Sequence, residues 1–269
     1  LEGYFIRTTL LAFNKNITVK ESFYLSTLSR IGNYLLPMRA GAIFRATYLK
    51  KKYNFEYSKF LSTLYGYYII LFLLYSILGV FSLLLKWKLN NQFYLILIIF
   101  FGALLLAMLF LMFVRVSFDK IFKKKETFSG KIANALTKFM KSWDRIVRNK
   151  KLLFQLIVIT LLNILINTVI IYFEFTALSI NVDILDLILY SSLSGVSLLV
   201  SLTPGSLGIR EAVFLISSQS IGLDQEQIVQ LAVVDRGILF FLLFFMMIFI
   251  FIFLKEFNLK DVFFAKRED

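Results

Sequence analysis

Cysteine and histidine are both absent from this 269-residue chain. Their absence excludes disulfides, thiolate nucleophiles, imidazole bases and the usual zinc ligands. Any chemistry must rest on Asp, Glu, Lys, Arg, Tyr, Ser or Thr. Proline occurs only twice, which favours long unbroken helices. Charge is also scarce: 17% of residues are charged, against roughly 25% in a soluble domain. Acid is scarcer than base, with 17 Asp and Glu against 30 Lys and Arg and a net charge of +13.

What fills the space is apolar. Hydrophobic residues make up 59% of the chain, and 31 are Phe. Runs at 60–85, 92–114, 152–176 and 226–254 each exceed the ~20 residues needed to cross a bilayer core of about 30 Å. The fold class expected is therefore all-α, a polytopic membrane helix bundle forming one integral membrane domain over 1–269. Residues 1–13 read as an interfacial helix or as the tail of a truncated span, since the chain opens at Leu1 rather than Met. Thr18 and Glu21 have capping-box spacing and predict a helix start near residue 19. Asp224 and Gln227 suit the start of the last span.

The positive charge does not point to nucleic acid, because it collects at the ends of apolar runs, as in cytoplasmic loops beside anionic headgroups. Residues 45–59 hold five basic residues and one acidic, and 115–151 hold twelve and three. The 177–183 loop has no Lys or Arg. This asymmetry places 115–151 in the cytoplasm, 177–183 outside, and the protein in a cytoplasmic-type membrane. Within 115–151, Ile132, Leu136, Phe139, Trp143 and Ile146 recur every three or four residues, with Lys131, Lys138, Lys141, Arg145 and Arg148 between them. That pattern predicts a basic amphipathic helix on the membrane surface.

Both prolines begin the pattern Pro-x-x-x-Gly: Pro37 to Gly41, and Pro204-Gly205-Ser206-Leu207-Gly208. Each follows a short apolar segment and precedes charge, Arg39 and Arg45 in one case, Arg210 and Glu211 in the other. Broken backbone at membrane depth survives only inside protein or along a wet cavity. Paired interrupted segments in two halves point to an inverted repeat around a midplane site. The expectation is two re-entrant hairpins, with half-repeats of about 17–114 and 152–254. Arg39, Arg45 and Arg210 would draw a phosphate into the space between them, because a guanidinium fork matches phosphate oxygens. Asp235 and Arg236 lie inside the last apolar run, where charge is costly and must pair. With Glu211, Asp235 would hold the arginines or meet a cationic headgroup. Asn163 and Asn167 read as interhelical hydrogen-bond partners.

Asn33-Tyr-Leu-Leu-Pro-Met-Arg-Ala-Gly41 with Arg45 resembles the first signature of a flippase-like membrane family that includes the transmembrane region of lysylphosphatidylglycerol synthases. Thr203-Pro-Gly-Ser-Leu-Gly-Ile-Arg-Glu211, then Gly222 and Arg236, resembles its second signature. Members usually carry an acidic residue after the first motif's Gly, where this chain has Ala42. The resemblance implies a domain that binds or translocates an anionic phospholipid or polyisoprenoid-type lipid. Its headgroup would lie among Asn33, Arg39, Arg45, Arg210, Glu211, Asp235 and Arg236. The family's transferases carry a large soluble C-terminal domain. This chain ends fifteen residues after its last span, so lysyl transfer is not expected. No Walker-type phosphate loop is present. No cofactor is called for, and membrane lipids, with a possible partner enzyme, are the expected partners. The alternatives are a small-solute secondary transporter or a membrane subunit supporting a lipid-modifying or glycosyl-transferring enzyme.

Overall fold

A computed structural model describes residues 1–86, 92–114, 128–200, 203 and 206–253. Among these the regular structure is helical, with no strand. Helix α1 (Glu2–Ala12) leads to α2 (Val19–Leu35). The start of α2 is fixed by the Thr18 hydroxyl, which accepts from the Glu21 backbone N–H at 3.1 Å. A cap of this kind contributes about 1 kcal/mol. The box is only half made, because the Glu21 carboxylate turns instead to tyrosines of the following helix. It accepts from the Tyr48 hydroxyl at 2.6 Å and the Tyr53 hydroxyl at 2.7 Å, and Lys52 lies 3.0 Å away.

Pro37 ends α2. The preceding residue is held extended, Leu36 at φ −115° and ψ 147°, because proline's ring excludes the helical conformation there. Met38 and Arg39 then adopt left-handed φ of 54° and 53°, each costing ~1–2 kcal/mol. The chain reverses and returns as α3 (Ala40–Tyr53), packed along α2. The crossing is backbone on backbone. A Cβ at Gly41 would lie 1.8 Å from the Ser29 carbonyl oxygen, and one at Gly32 would meet the Gly41 Cα at 2.9 Å.

Four helices are long and apolar enough to cross a membrane: α4 (Tyr57–Leu85), α5 (Gln92–Phe113), α7 (Lys150–Ala177) and α10 (Gln225–Phe253). Their ends agree with the sequence-based spans to within three residues. Large side chains such as Phe240, Phe244 and Phe251 on α10 are exposed, as expected of a surface facing hydrocarbon rather than water. The start of α10 carries the full reciprocal cap: Asp224 Oδ1 accepts from the Gln227 N–H at 2.7 Å, and Gln227 Oε1 from the Asp224 N–H at 3.1 Å.

Between α7 and α10 the chain forms a second helical hairpin. Helix α8 (Ile184–Val196) passes into a 3-10 turn (Ser197–Val200), and α9 (Ile209–Ile221) packs back on both. Pro204 and Gly205, expected as hairpin breaks, lie outside the described residues. Gly208, at φ 81°, leads into α9. Helix α4 is the hub, contacting α5, α7, α8 and the helix of the basic segment. Its far end is pinned to the start of α8 by Lys86, which bonds Asp183 at 2.7 Å and Asp186.

The basic segment forms the expected helix, α6 (Phe128–Arg148), and part of its apolar face is packed on the protein. Trp143 is 2% exposed; its ring lies edge-on to Tyr65 of α4, as does that of Phe139. Ile146 is buried as well, whereas Leu136 stays exposed. A second tie is ionic: Glu56, just before α4, bonds Lys138 at 2.9 Å and Lys59 at 3.0 Å. These bonds, Lys138 first, pull the Glu56 carboxyl down to about 2. The side chains of Lys131 and Ile132, and residues 115–127, lie outside the described residues.

Candidate functional site

The two helix breaks meet. Arg39, held in its left-handed conformation at the tip of the first hairpin, donates from Nη2 to the Leu198 carbonyl in the 3-10 turn of the second. Its guanidinium sits 4.5 Å over the Tyr68 ring of α4. Around this contact lies a cavity of about 250 Å³. Its walls bring together Asn33, Arg39 and Arg45 from the first hairpin with Ser194, Ser197, Ser206 and Arg210 from the second, and Arg236 from α10. Tyr67, Tyr68 and Tyr75 line it from α4, and Asn163 and Asn167 from α7. Apolar walls come from Phe5, Ile6, Leu10 and Leu71.

The arginines differ in what holds them. Arg210 Nη1 bonds Asp235 Oδ2 at 2.7 Å, while Arg236 Nη2 bonds Glu211 Oε1 at 2.6 Å. The pairs are crossed, each arginine reaching the other helix's carboxylate, so they clamp α9 to α10. Glu211 also accepts from the Gly208 N–H at 2.9 Å, capping α9. Charged side chains in an apolar run must pair, and both acidic residues do. Arg45 is different. It makes no ion pair among the described residues, and its Nε is buried with no hydrogen-bond partner. Its guanidinium faces the Phe60 ring at 5.4 Å. A buried cation donor without an acceptor is costly unless something else supplies one.

Asn33 does a structural job as well as lining the cavity. Its Oδ1 accepts from the Ala42 N–H at 3.2 Å, satisfying a free donor in the first turn of α3. Glu211 and Asp235 line no part of the cavity but fix the arginines that do. Several polar wall residues were not singled out from sequence. Arg30 reaches Glu2 of α1 at 3.0 Å, and both face the cavity. Tyr68 and Tyr75 are seven residues apart, hence on one face of α4, a stripe visible in the sequence. Glu174 of α7 is buried beside Asp235 and Arg210. Its cue was an acidic residue near the end of an apolar run.

Spanning helices, two broken hairpins and an arginine-lined cavity between them define a multi-pass helical membrane protein. The sequence matches the family described as lysylphosphatidylglycerol synthase TM region over residues 1–246, and the chain belongs to that family. No curated protein and no solved structure matches it.

Proposed function

We propose that this chain is a flippase-like lipid domain that takes an anionic phospholipid or polyisoprenoid-type headgroup into the cavity between its hairpins. The observation that carries the reading is Arg45, a cavity-lining guanidinium with a buried Nε and no acceptor, in a wall shared with Arg39 and Arg210. A phosphate oxygen is the acceptor such a group lacks. The mixed wall supports an amphiphile: tyrosines and asparagines for glycerol or sugar hydroxyls, and Phe5, Ile6 and Leu10 for acyl chain.

Both hairpins are re-entrant in this reading. The order α1, hairpin, α4 recurs as α7, hairpin, α10. Helix α4 packs on the second hairpin through α8, and α10 on the first through α2. Such an exchange fits two halves related by an inverted repeat, with the site at their interface. The basic segment 115–151 then faces the cytoplasm, and the membrane is the cytoplasmic one.

The test is translocation of fluorescent phosphatidylglycerol in proteoliposomes. Native protein is expected to move it, and Arg45→Gln to slow it about tenfold or more, since a charge-assisted hydrogen bond contributes roughly 1.5–3 kcal/mol. No movement by native protein, with uptake of a small water-soluble anion instead, would replace this reading with solute transport. Movement unchanged in folded Arg45→Gln would remove the site assignment.

A further inference from the structure

Glu174 sits on α7 at 2% exposure, and its Oε2 has no hydrogen-bond partner. An ionised carboxylate so placed forfeits its hydration without compensation. The carboxyl group of Asp235, from α10, lies beside it, and Arg210, from α9, is the cation facing both. Tyr190 of α8 faces the same group, while Tyr75 of α4 and Tyr34 of α2 face Arg210. The other nearby charges, Glu211 and Arg236, neutralise one another.

Two carboxyl groups therefore share one guanidinium. Fully ionised, the three would leave one surplus negative charge where water hardly reaches. Neighbouring carboxyl groups resolve that conflict by holding a proton between them. Arg210 also has a buried Nε without a partner, and it is the member of the trio that lines the cavity.

We propose that Glu174 and Asp235 form a proton-binding pair that controls Arg210, making the cavity a proton-coupled anion site. With one proton on the pair, Asp235 keeps Arg210 as its ion pair. A second proton forms an O–H bond on Asp235, the Arg210–Asp235 ion pair breaks, and the freed guanidinium bonds an anionic oxygen in the cavity. One proton enters per negative charge bound, so uptake is electroneutral. Release of the anion returns Arg210 to Asp235 and discharges the proton. This rests on the headgroup reading above for the identity of the anion, but not for the proton site.

Two measurements separate these claims. The first is an infrared pH titration of the ligand-free protein in lipid nanodiscs. At neutral pH the native chain is expected to show the carbonyl stretch of a water-shielded carboxylic acid. Both Glu174→Gln and Asp235→Asn should lose it, since either leaves a single carboxylate to pair with Arg210. A native protein without that band overturns the proposal, whatever the variants do, and so does a band that persists in both folded variants. The second is binding of dihexanoyl phosphatidylglycerol at pH 5.5 and 7.5, neither of which titrates its phosphodiester. Native protein should bind about tenfold or more tightly at the lower pH, taking up a proton, and the double variant Glu174→Gln with Asp235→Asn, left with no carboxyl group to take that proton, should lose the dependence. Binding that ignores pH in the native chain overturns the coupling. Sulfate binding as tightly, with the same pH dependence, would keep the proton coupling and assign the site to free anions. If neither probe binds while the infrared band is present, the headgroup reading fails and the proton-binding pair stands.

Discussion

Replacing Gly41 by alanine should separate the first hairpin, and the backbone distances around it set the scale. The new Cβ would lie 1.8 Å from the Ser29 carbonyl oxygen, 2.7 Å from its carbon and 2.9 Å from the Asn33 nitrogen. All three atoms are backbone of α2, so no side chain can rotate away. Restoring an ordinary contact requires α2 and α3 to part by roughly 1.5 Å. Overpacking of this kind costs about 1–3 kcal/mol, and a backbone clash lies at the upper end. Alanine returns at most ~1 kcal/mol through its higher helix propensity. The net loss is about 2 kcal/mol, some thirtyfold in the folding equilibrium. Parting the helices also draws Arg39 away from Leu198 and Tyr68, so translocation should fall with stability. The matched control is Gly102→Ala on α5, where nothing lies within 4 Å of the new methyl group. Unfolding by SDS in mixed micelles, followed by circular dichroism, measures both variants. The reasoning fails if Gly41→Ala is as stable as the native chain, or if Gly102→Ala is destabilised as much.

Arg236→Met should cost about 3 kcal/mol in the same titration by stranding the Glu211 carboxylate. Adding Glu211→Gln to it should restore more than half, whereas simple additivity would show that the pair is not coupled. Docking of α6 should weaken in acid. The Glu56 carboxyl is lowered from 4.5 to about 2, so its contribution is complete above pH 4.5 and lost as pH falls towards 2. The side chain is about a third exposed, and solvent screening keeps that contribution below ~1 kcal/mol. Protection factors of the α6 amides, corrected for intrinsic exchange, should therefore differ between pH 3 and pH 6 in the native chain and agree in Glu56→Gln; an equal pH effect in both would refute the assignment.

Part of the architecture answers to local or one-dimensional rules and was legible along the chain. Hydrocarbon thickness demands a minimum apolar run, so α4, α5, α7 and α10 could be counted and bounded directly. Thr18 and the Asp224–Gln227 box marked helix starts because a cap is a contact over three residues. Pro37 marked a break because its ring acts on the residue beside it, and the match over 1–246 confirmed the family that the two motifs resemble. Which groups face which was decided only by the fold. Nothing along the chain says that Arg210 takes Asp235 and Arg236 takes Glu211, since both pairs form across 25 residues when α9 lies against α10. Nor does it say that the amphipathic face of α6 is claimed by Tyr65 of α4, because an apolar stripe reads alike against lipid or protein. Arg45 and Glu174 stand out for the same reason. A missing partner belongs to no residue alone; it exists only once every neighbouring helix has been placed.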